Sequence, residues 1–388
     1  MLRCHNCGGG TAEVFYAVEE IPTASNILLE DRQAAAAYAL GPLELAVCPD
    51  CGFVFNHRFE PKTIDYTSPY EESQAYSPTF VAFQEALVDR LVATYDLPDK
   101  QIFEIGCGKG AFLEAICHRA GAVGLGIDPA FKAERLAGAD IIVVEEFFDD
   151  AHTWMTGDLI CCRHTLEHIQ PVAKFVGLVR ESAAQQPGST VLIEVPDMTR
   201  ILVEGAFWDV FYEHCSYFTP TSLSWLLQAE GLPIRRLARE FDEQYLVVDA
   251  SVGPADRFID TEEVGTIVEL CSRFAERVTV ETKRWRRRLN ASATTVLWGA
   301  GSKAVAFLAA VAGSDNVAAV VDINPYKQGS YLPGSAQPVI APERLVDLNP
   351  ELVIIMNPIY EEEISGMLAE QGIEAEVASL GGRLDAMA

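Results

Sequence analysis

The chain has 388 residues, with 29 lysines and arginines against 56 aspartates and glutamates, a formal net charge of −27 and 49% hydrophobic side chains. That length and apolar content suffice for two or three domain cores, whereas the negative charge repels nucleic acid and anionic membranes at long range. No apolar run is long enough to span a bilayer, and the first residues lack the basic and apolar regions of a signal sequence. The expectation is a cytoplasmic protein that works on a small molecule and binds neither nucleic acid nor membrane.

Two Cys-x-x-Cys pairs stand at the front, Cys4-His-Asn-Cys7 and Cys48-Pro-Asp-Cys51, each followed by glycine. Four thiolates on two tight turns make a closed tetrahedral shell for a structural zinc ion, with no open position for catalysis. A module over residues 1–62 is expected around that metal. Next comes a tyrosine-rich segment from Tyr66 to Phe80, flanked by Pro69 and Pro78 and suited to act as a lid. A helical pattern through Phe83, Leu87, Leu91 and Val92 follows.

From Gln101 short apolar runs alternate with helical ones: Ile102 to Ile105, Phe112 to Ala120, Ala122 to Ile127, Asp158 to Cys162 and Val191 to Val195. Strands separated by helices predict a parallel, doubly wound α/β sheet. At its first strand end, Glu104-Ile-Gly106-Cys-Gly108-Lys-Gly110 reads as a strand-to-helix turn whose glycines let the backbone approach a ligand. Asp128, ending the next strand, is placed to bind ribose hydroxyls.

A long helix with a charged face is predicted from Glu262 to Asn290, and the basic run Lys283 to Arg288 suits its C-terminal end. A second βαβ series begins at Thr294, with strands at Thr295–Trp298, Val317–Asp322 and Leu352–Met356. Its turn, Gly299-Ala-Gly301-Ser-Lys303-Ala304, with Asp322 ending the next strand, fits the dinucleotide fingerprint better than the first turn does. An NAD-dependent oxidoreductase is therefore an open alternative, as is a diphosphate site using Lys303 or a domain that only buttresses the core.

The turn at Glu104, the acidic Asp128 and the segment Asp158-Leu-Ile-Cys-Cys-Arg-His164-Thr-Leu-Glu-His168-Ile169 resemble the class I S-adenosylmethionine-dependent methyltransferases. With the four cysteines in front and a Rossmann-like domain behind, the chain resembles the nucleotide-sugar C-methyltransferases over nearly its whole length. The resemblance implies a methyltransferase core over 63–255 and a substrate-binding domain over 256–388. It further implies S-adenosylmethionine held at Glu104, Gly106, Gly108, Gly110, Asp128 and His164. The acceptor would be a nucleotide-linked keto sugar, touching Tyr212, Gly299, Gly301, Lys303 and Asp322. The family's Y-x-E-H-x-x-Y-F segment matches Tyr212-Glu213-His214-Cys-Ser-Tyr217-Phe218, although the position three before His214 is Phe211.

Carbon methylation beside a ketone needs a base to form the enolate and a group to stabilise it. His214 is the expected base, Glu213 its orienting neighbour and His168 a further polar contact, with Tyr70 and Tyr76 approaching the sugar. Methyl transfer to oxygen or nitrogen is the alternative within the same class.

Overall fold

A computed structural model describes residues 2–27, 29–64, 70–71, 73–131, 140–311 and 316–381. It is an α/β protein built on three sheets. The first is antiparallel: β1 (Glu13–Pro22) pairs with β2 (Leu40–Val47), which pairs with β3 (Val54–Asn56). Between β1 and β2 runs a short helix, α1 (Arg32–Ala36), started by Asp31, whose side chain accepts the Ala34 N–H. The two cysteine turns lie at one end of this sheet.

The core opens with α2 (Pro78–Tyr95), which Ser77 caps by accepting the Phe80 N–H and which Pro78 begins at the one place where a missing N–H costs nothing. Then come β4 (Gln101–Ile105), α3 (Ala111–Ala120), β5 (Val123–Ile127), β6 (Ile141–Val144), β7 (Leu159–Arg163), α4 (Val172–Ala184), β8 (Thr190–Pro196) and α5 (Met198–Glu204). A two-residue strand, β9 (Ser216–Tyr217), leaves the core to pair with β3. After it follow α6 (Pro220–Ala229) and the antiparallel pair β10 (Ile234–Glu240) and β11 (Tyr245–Ser251). The strand order is β10-β11-β8-β7-β4-β5-β6, with β8, β7, β4, β5 and β6 parallel. Every residue of β7 is buried, as expected of a parallel strand covered by helices on both faces.

The long helix α7 (Thr261–Ala291) starts at Asp260, which accepts the Glu262 and Glu263 N–H groups. Val264, Ile267, Cys271, Phe274, Val278, Trp285 and Leu289 form its buried stripe, the spacing of one helical face. Phe274 meets Tyr16 of β1 with ring centroids 5.1 Å apart, and Trp285 meets Phe307 at 5.7 Å. The third sheet follows: β12 (Thr295–Trp298), α8 (Ser302–Ala310), β13 (Val317–Val321), β14 (Val339–Ile340), α9 (Leu345–Leu348), β15 (Leu352–Ile355), α10 (Glu361–Glu370) and β16 (Glu376–Ser379). Its order, β14-β13-β12-β15-β16, is parallel throughout. One apolar cluster runs from Leu43 and Leu45 through Trp208 to Phe307 and Ile354, so α7 packs in a core shared by the first sheet, α5 and the third sheet. Among the described residues no helix is long and apolar enough to cross a membrane.

Candidate active site

Each parallel sheet reverses strand order beside its first strand, at β4/β7 and at β12/β15. Open α/β sheets bind ligands at the C-terminal edge of such a reversal. Both edges open on one cavity of about 640 Å³, lined by Gly106 and Asp128 from the first turn, Gly299 and Gly301 from the second, and His168 and His214 between them.

At the first turn Gly106, Gly108 and Gly110 have φ of 71°, 53° and 79°, the region where a Cβ is disfavoured. A Cβ at Gly106 would also meet Thr165 Oγ1 at 2.1 Å, so this glycine is required by the turn's own packing. Asp128 accepts the Gly108 and Ala130 N–H groups at 2.9 and 2.8 Å, tying the second strand end to the loop. Glu104 is 3% exposed, and its Oε2 has no hydrogen-bond partner among the described residues. Burial pushes its carboxyl up to about 8, against the opposing pull of Arg163. Glycines that admit a ligand to the backbone, a ribose-binding acid and an unmet buried carboxyl suit a cationic nucleoside sulfonium.

Beyond β7, Arg163 forms a two-point ion pair with Glu194, at 2.8 and 3.3 Å, with its guanidinium 3.9 Å over the Phe112 ring. His164 has φ of 48°, and its Nε2 lies 2.9 Å from Glu194 Oε1. Burial lowers its proton affinity, but Glu194 and Glu167 outweigh that and raise it to about 9. His164 lines the cavity as a cation held by carboxylates.

Glu213, His214 and His168 come together as expected, but with different partners. Glu213 Oε1 accepts from the Ser25 N–H at 2.9 Å and from the Ser25 hydroxyl, so it faces the N-terminal sheet rather than orienting His214. The Glu213 carbonyl receives the His168 Nδ1–H at 3.1 Å. The His214 ring stands edge-on to His168 at 4.7 Å and to Phe211 at 4.8 Å. Burial, then His168 and His164, lower its proton affinity well below the ordinary histidine value, so it is neutral at pH 7 and holds a free lone pair.

Tyr212 requires a correction. It is 1% exposed and absent from the cavity wall; its hydroxyl lies 3.3 Å from the Glu60 N–H and 3.2 Å from Thr63 Oγ1. A buried phenol takes the partners its packing offers, and here they belong to the segment joining the first sheet to the core. Phe211, one residue earlier, lines the cavity instead. Tyr70 and Tyr76 both line it. Lys109 sits 5.3 Å over the Tyr70 ring, and Tyr76 lies 6.4 Å from Tyr326 of the third sheet's loops. Residues 66–69 and 72 of the expected lid lie outside the described residues.

The second turn is partly filled by the protein itself. Ser302 Oγ, at the start of α8, is bonded by Ser25 Oγ at 2.6 Å and Asn26 Nδ2 at 2.9 Å. Lys303 pairs with Asp209, which Arg200 also holds at 2.6 Å. Asp322 accepts the Ala300 and Asn324 N–H groups at 2.8 Å each, and Lys327 Nζ donates to the Ala300 carbonyl at 2.9 Å. Ser25 and Asn26 thus occupy the Ser302 hydroxyl, whereas no side chain caps the backbone amides at the start of α8 among the described residues.

The four front cysteines converge. Their sulfurs lie within 4.8 Å of one another, Cys4 to Cys51 at 3.7 Å and Cys7 to Cys48 at 3.6 Å, and none is in a disulfide. The Asn6, Cys7 and Gly9 N–H groups point at cysteine sulfurs at 3.4–3.5 Å, which stabilises thiolates. Such a donor set fits a tetrahedral metal ion.

Sequence reasoning missed Ser25, Asn26, Arg200 and Asp209. None sits in a motif, and each reaches the site only through tertiary packing.

Comparison with known proteins agrees with this architecture. Residues 77–237 match the methyltransferase domain model, and residues 259–380 match the C-methyltransferase C-terminal domain model. The C-methyltransferase NovU of Streptomyces niveus is 29% identical over 93% of this chain and 91% of its own. The magnesium protoporphyrin IX methyltransferase of Synechocystis PCC 6803 has 16% identity and a TM-score of 0.36, covering 48% of this chain and 91% of its own. A Burkholderia thailandensis N1-methyltransferase of 1,6-didemethyltoxoflavin has 16% identity and a TM-score of 0.35, covering 52% and 96%. The fold and the first turn define an S-adenosylmethionine-dependent methyltransferase of class I. More narrowly, the chain is similar to a C-methyltransferase over nearly its whole length, and its C-terminal part matches the C-methyltransferase C-terminal domain model.

Proposed function

We propose that the protein methylates the carbon beside the ketone of a nucleotide-activated keto sugar, with His214 as the base. The observation that carries this reading is a neutral, lone-pair-bearing His214 on the wall of a cavity that both glycine-rich turns share. S-Adenosylmethionine supplies an electrophilic methyl group, which Gly106, Gly108, Asp128 and Glu104 hold at one end of the cavity. The other end, toward Gly301 and Tyr76, accommodates the nucleotide of a long acceptor. Between them His214 takes the acidic proton, His168 contacts the acceptor's oxygen, and Glu213, fixed by Ser25, holds the loop that carries both His214 and the carbonyl anchoring His168. Exclusion of water by the surrounding aromatic walls favours reaction at carbon over loss of the enolate to solvent. The cysteine cluster holds a structural zinc ion.

The test is hydrogen exchange in deuterium oxide, with a nucleotide-linked keto sugar and the demethylated cofactor. The wild type exchanges the proton beside the carbonyl, whereas His214→Ala loses about 10²–10⁴-fold in exchange and methylation and keeps its donor affinity. Undiminished exchange in the variant would remove His214 from the mechanism.

A further inference from the structure

Glu167, in the turn after β7, is 2% exposed. Its Oε1 lies 3.7 Å from His164 Nδ1, and its Oε2 is sealed from solvent with no hydrogen-bond partner among the described residues. His214 Nδ1 is likewise sealed and without a partner. A carboxylate oxygen of Glu167 and one ring nitrogen each of His168 and His214 lie within 4.8 Å of one another. Buried polar groups left unmet within one cluster cost about 1–3 kcal/mol each, and these two become complementary once they close to hydrogen-bonding distance.

Chemistry narrows the pairing. A base that works through Nε2 must carry its proton on Nδ1, and a buried Nδ1–H needs an acceptor. Glu213 gives Oε1 to Ser25, and although its Oε2 is also unmet it is not part of this cluster. His168 gives its Nδ1–H to a carbonyl and, as an imidazole, carries no negative charge. Glu167 is the one carboxyl group in the cluster. We propose that Glu167 is the positioning residue of the base: it accepts the Nδ1–H of His214, fixes the tautomer that leaves Nε2 open to substrate, and stabilises the imidazolium formed when the proton is taken. Burial beside His164 and His168 disfavours that imidazolium, which is why a carboxylate is needed there. The inference rests on His214 being the base.

Glu167→Gln in the full-length protein tests it. A glutamine amide keeps the shape, leaves His164 its Glu194 contact and donates to Nδ1, which moves the ring proton to Nε2. The equivalent Asp→Asn change in serine-protease triads costs about 10⁴-fold in kcat. We expect the exchange rate above to fall at least about 10²-fold, with the donor dissociation constant within twofold, and nitrogen-15 spectra of labelled histidine to show the His214 proton shift from Nδ1 to Nε2. Exchange within about threefold of wild type would overturn the inference, as would an Nε2–H tautomer in the wild type, a measurement that does not depend on the variant folding. If His214→Ala itself exchanges normally, the proposed function falls first; if that variant is inactive and Glu167→Gln is unaffected, this inference alone falls. A second metal ion per chain, retained by wild type and lost by Glu167→Gln, would replace the dyad with a metal site and also overturn it.

Discussion

Asp209→Asn probes the joint between the core and the third sheet. Asp209 receives Lys303 from α8 and Arg200 from α5, and the three side chains are only 10%, 20% and 14% exposed. Burial raises the Asp209 pKa, but Lys303 and Arg200 outweigh it and hold the carboxyl below its ordinary range. Removing one member of a buried pair costs about 3–5 kcal/mol because the partner's charge stays behind. Arg200 keeps Glu204 at 2.8 Å, whereas Lys303 has no second hydrogen-bond partner among the described residues, so about 3 kcal/mol is expected, a fall in Tm of roughly 4 °C. The pH dependence has a definite sign. A depressed carboxylate contributes fully above its unfolded pKa, near about 3.9, and the contribution is lost as pH falls through the lower folded value. The variant should therefore lose stability at pH 7 and show a shallower acid limb. Urea unfolding at pH 7 and pH 4, with Lys303→Met and the double variant to complete a cycle, measures this. A variant within about 0.5 kcal/mol of wild type, with an unchanged acid limb, would refute the reasoning.

Elemental analysis should find one zinc ion per chain, and Cys48→Ser should abolish it and shift the first sheet's unfolding to lower temperature; full activity without metal would oppose a structural zinc. Glu104, protonated up to about pH 8, should lose its proton when the cationic donor arrives. Calorimetry in buffers of different ionisation enthalpy should then report proton release at pH 7, and donor affinity should rise with pH until about 8. Glu104→Gln should remove both effects.

The strands β4, β5, β7, β8, β12, β13 and β15 were legible because their signals are local, whereas the parallel edge strands β6, β14 and β16 were not. Apolar runs such as Leu159 to Cys162 stand between polar flanks, Asp158 before and Arg163-His164-Thr165 after, and the buried stripe of α7 is written in its spacing. The antiparallel β10 was not, since Ile-Arg-Arg-Leu-Ala-Arg-Glu carries three arginines and gains its strand character only by pairing with β11. The first sheet was hidden similarly, because the core strand β9 closes it from some 160 residues away in sequence. At the site, sequence located Glu213, His214 and His168, but a loop motif does not say where a side chain points. Tyr212 turned inward and Glu213 turned to Ser25. The Leu-Glu-His segment displayed Glu167 openly, yet its relevance appears only once His214 is brought beside it.

Ser25 and Asn26 lie on the connection after β1, within the same small sheet that the cysteine cluster anchors, yet they touch Glu213 on one side and Ser302 on the other. The front of the chain is therefore a keystone. A core and tail excised without it would lose the peg that sets the catalytic loop against α8. A hybrid enzyme made by exchanging tails would need residues 23–27 to travel with the new partner. Acceptor choice in such hybrids would then follow a short loop of the first sheet as much as the C-terminal domain, and, with zinc in the cysteine cluster as proposed, starving cells of it would mimic a lesion in the active site.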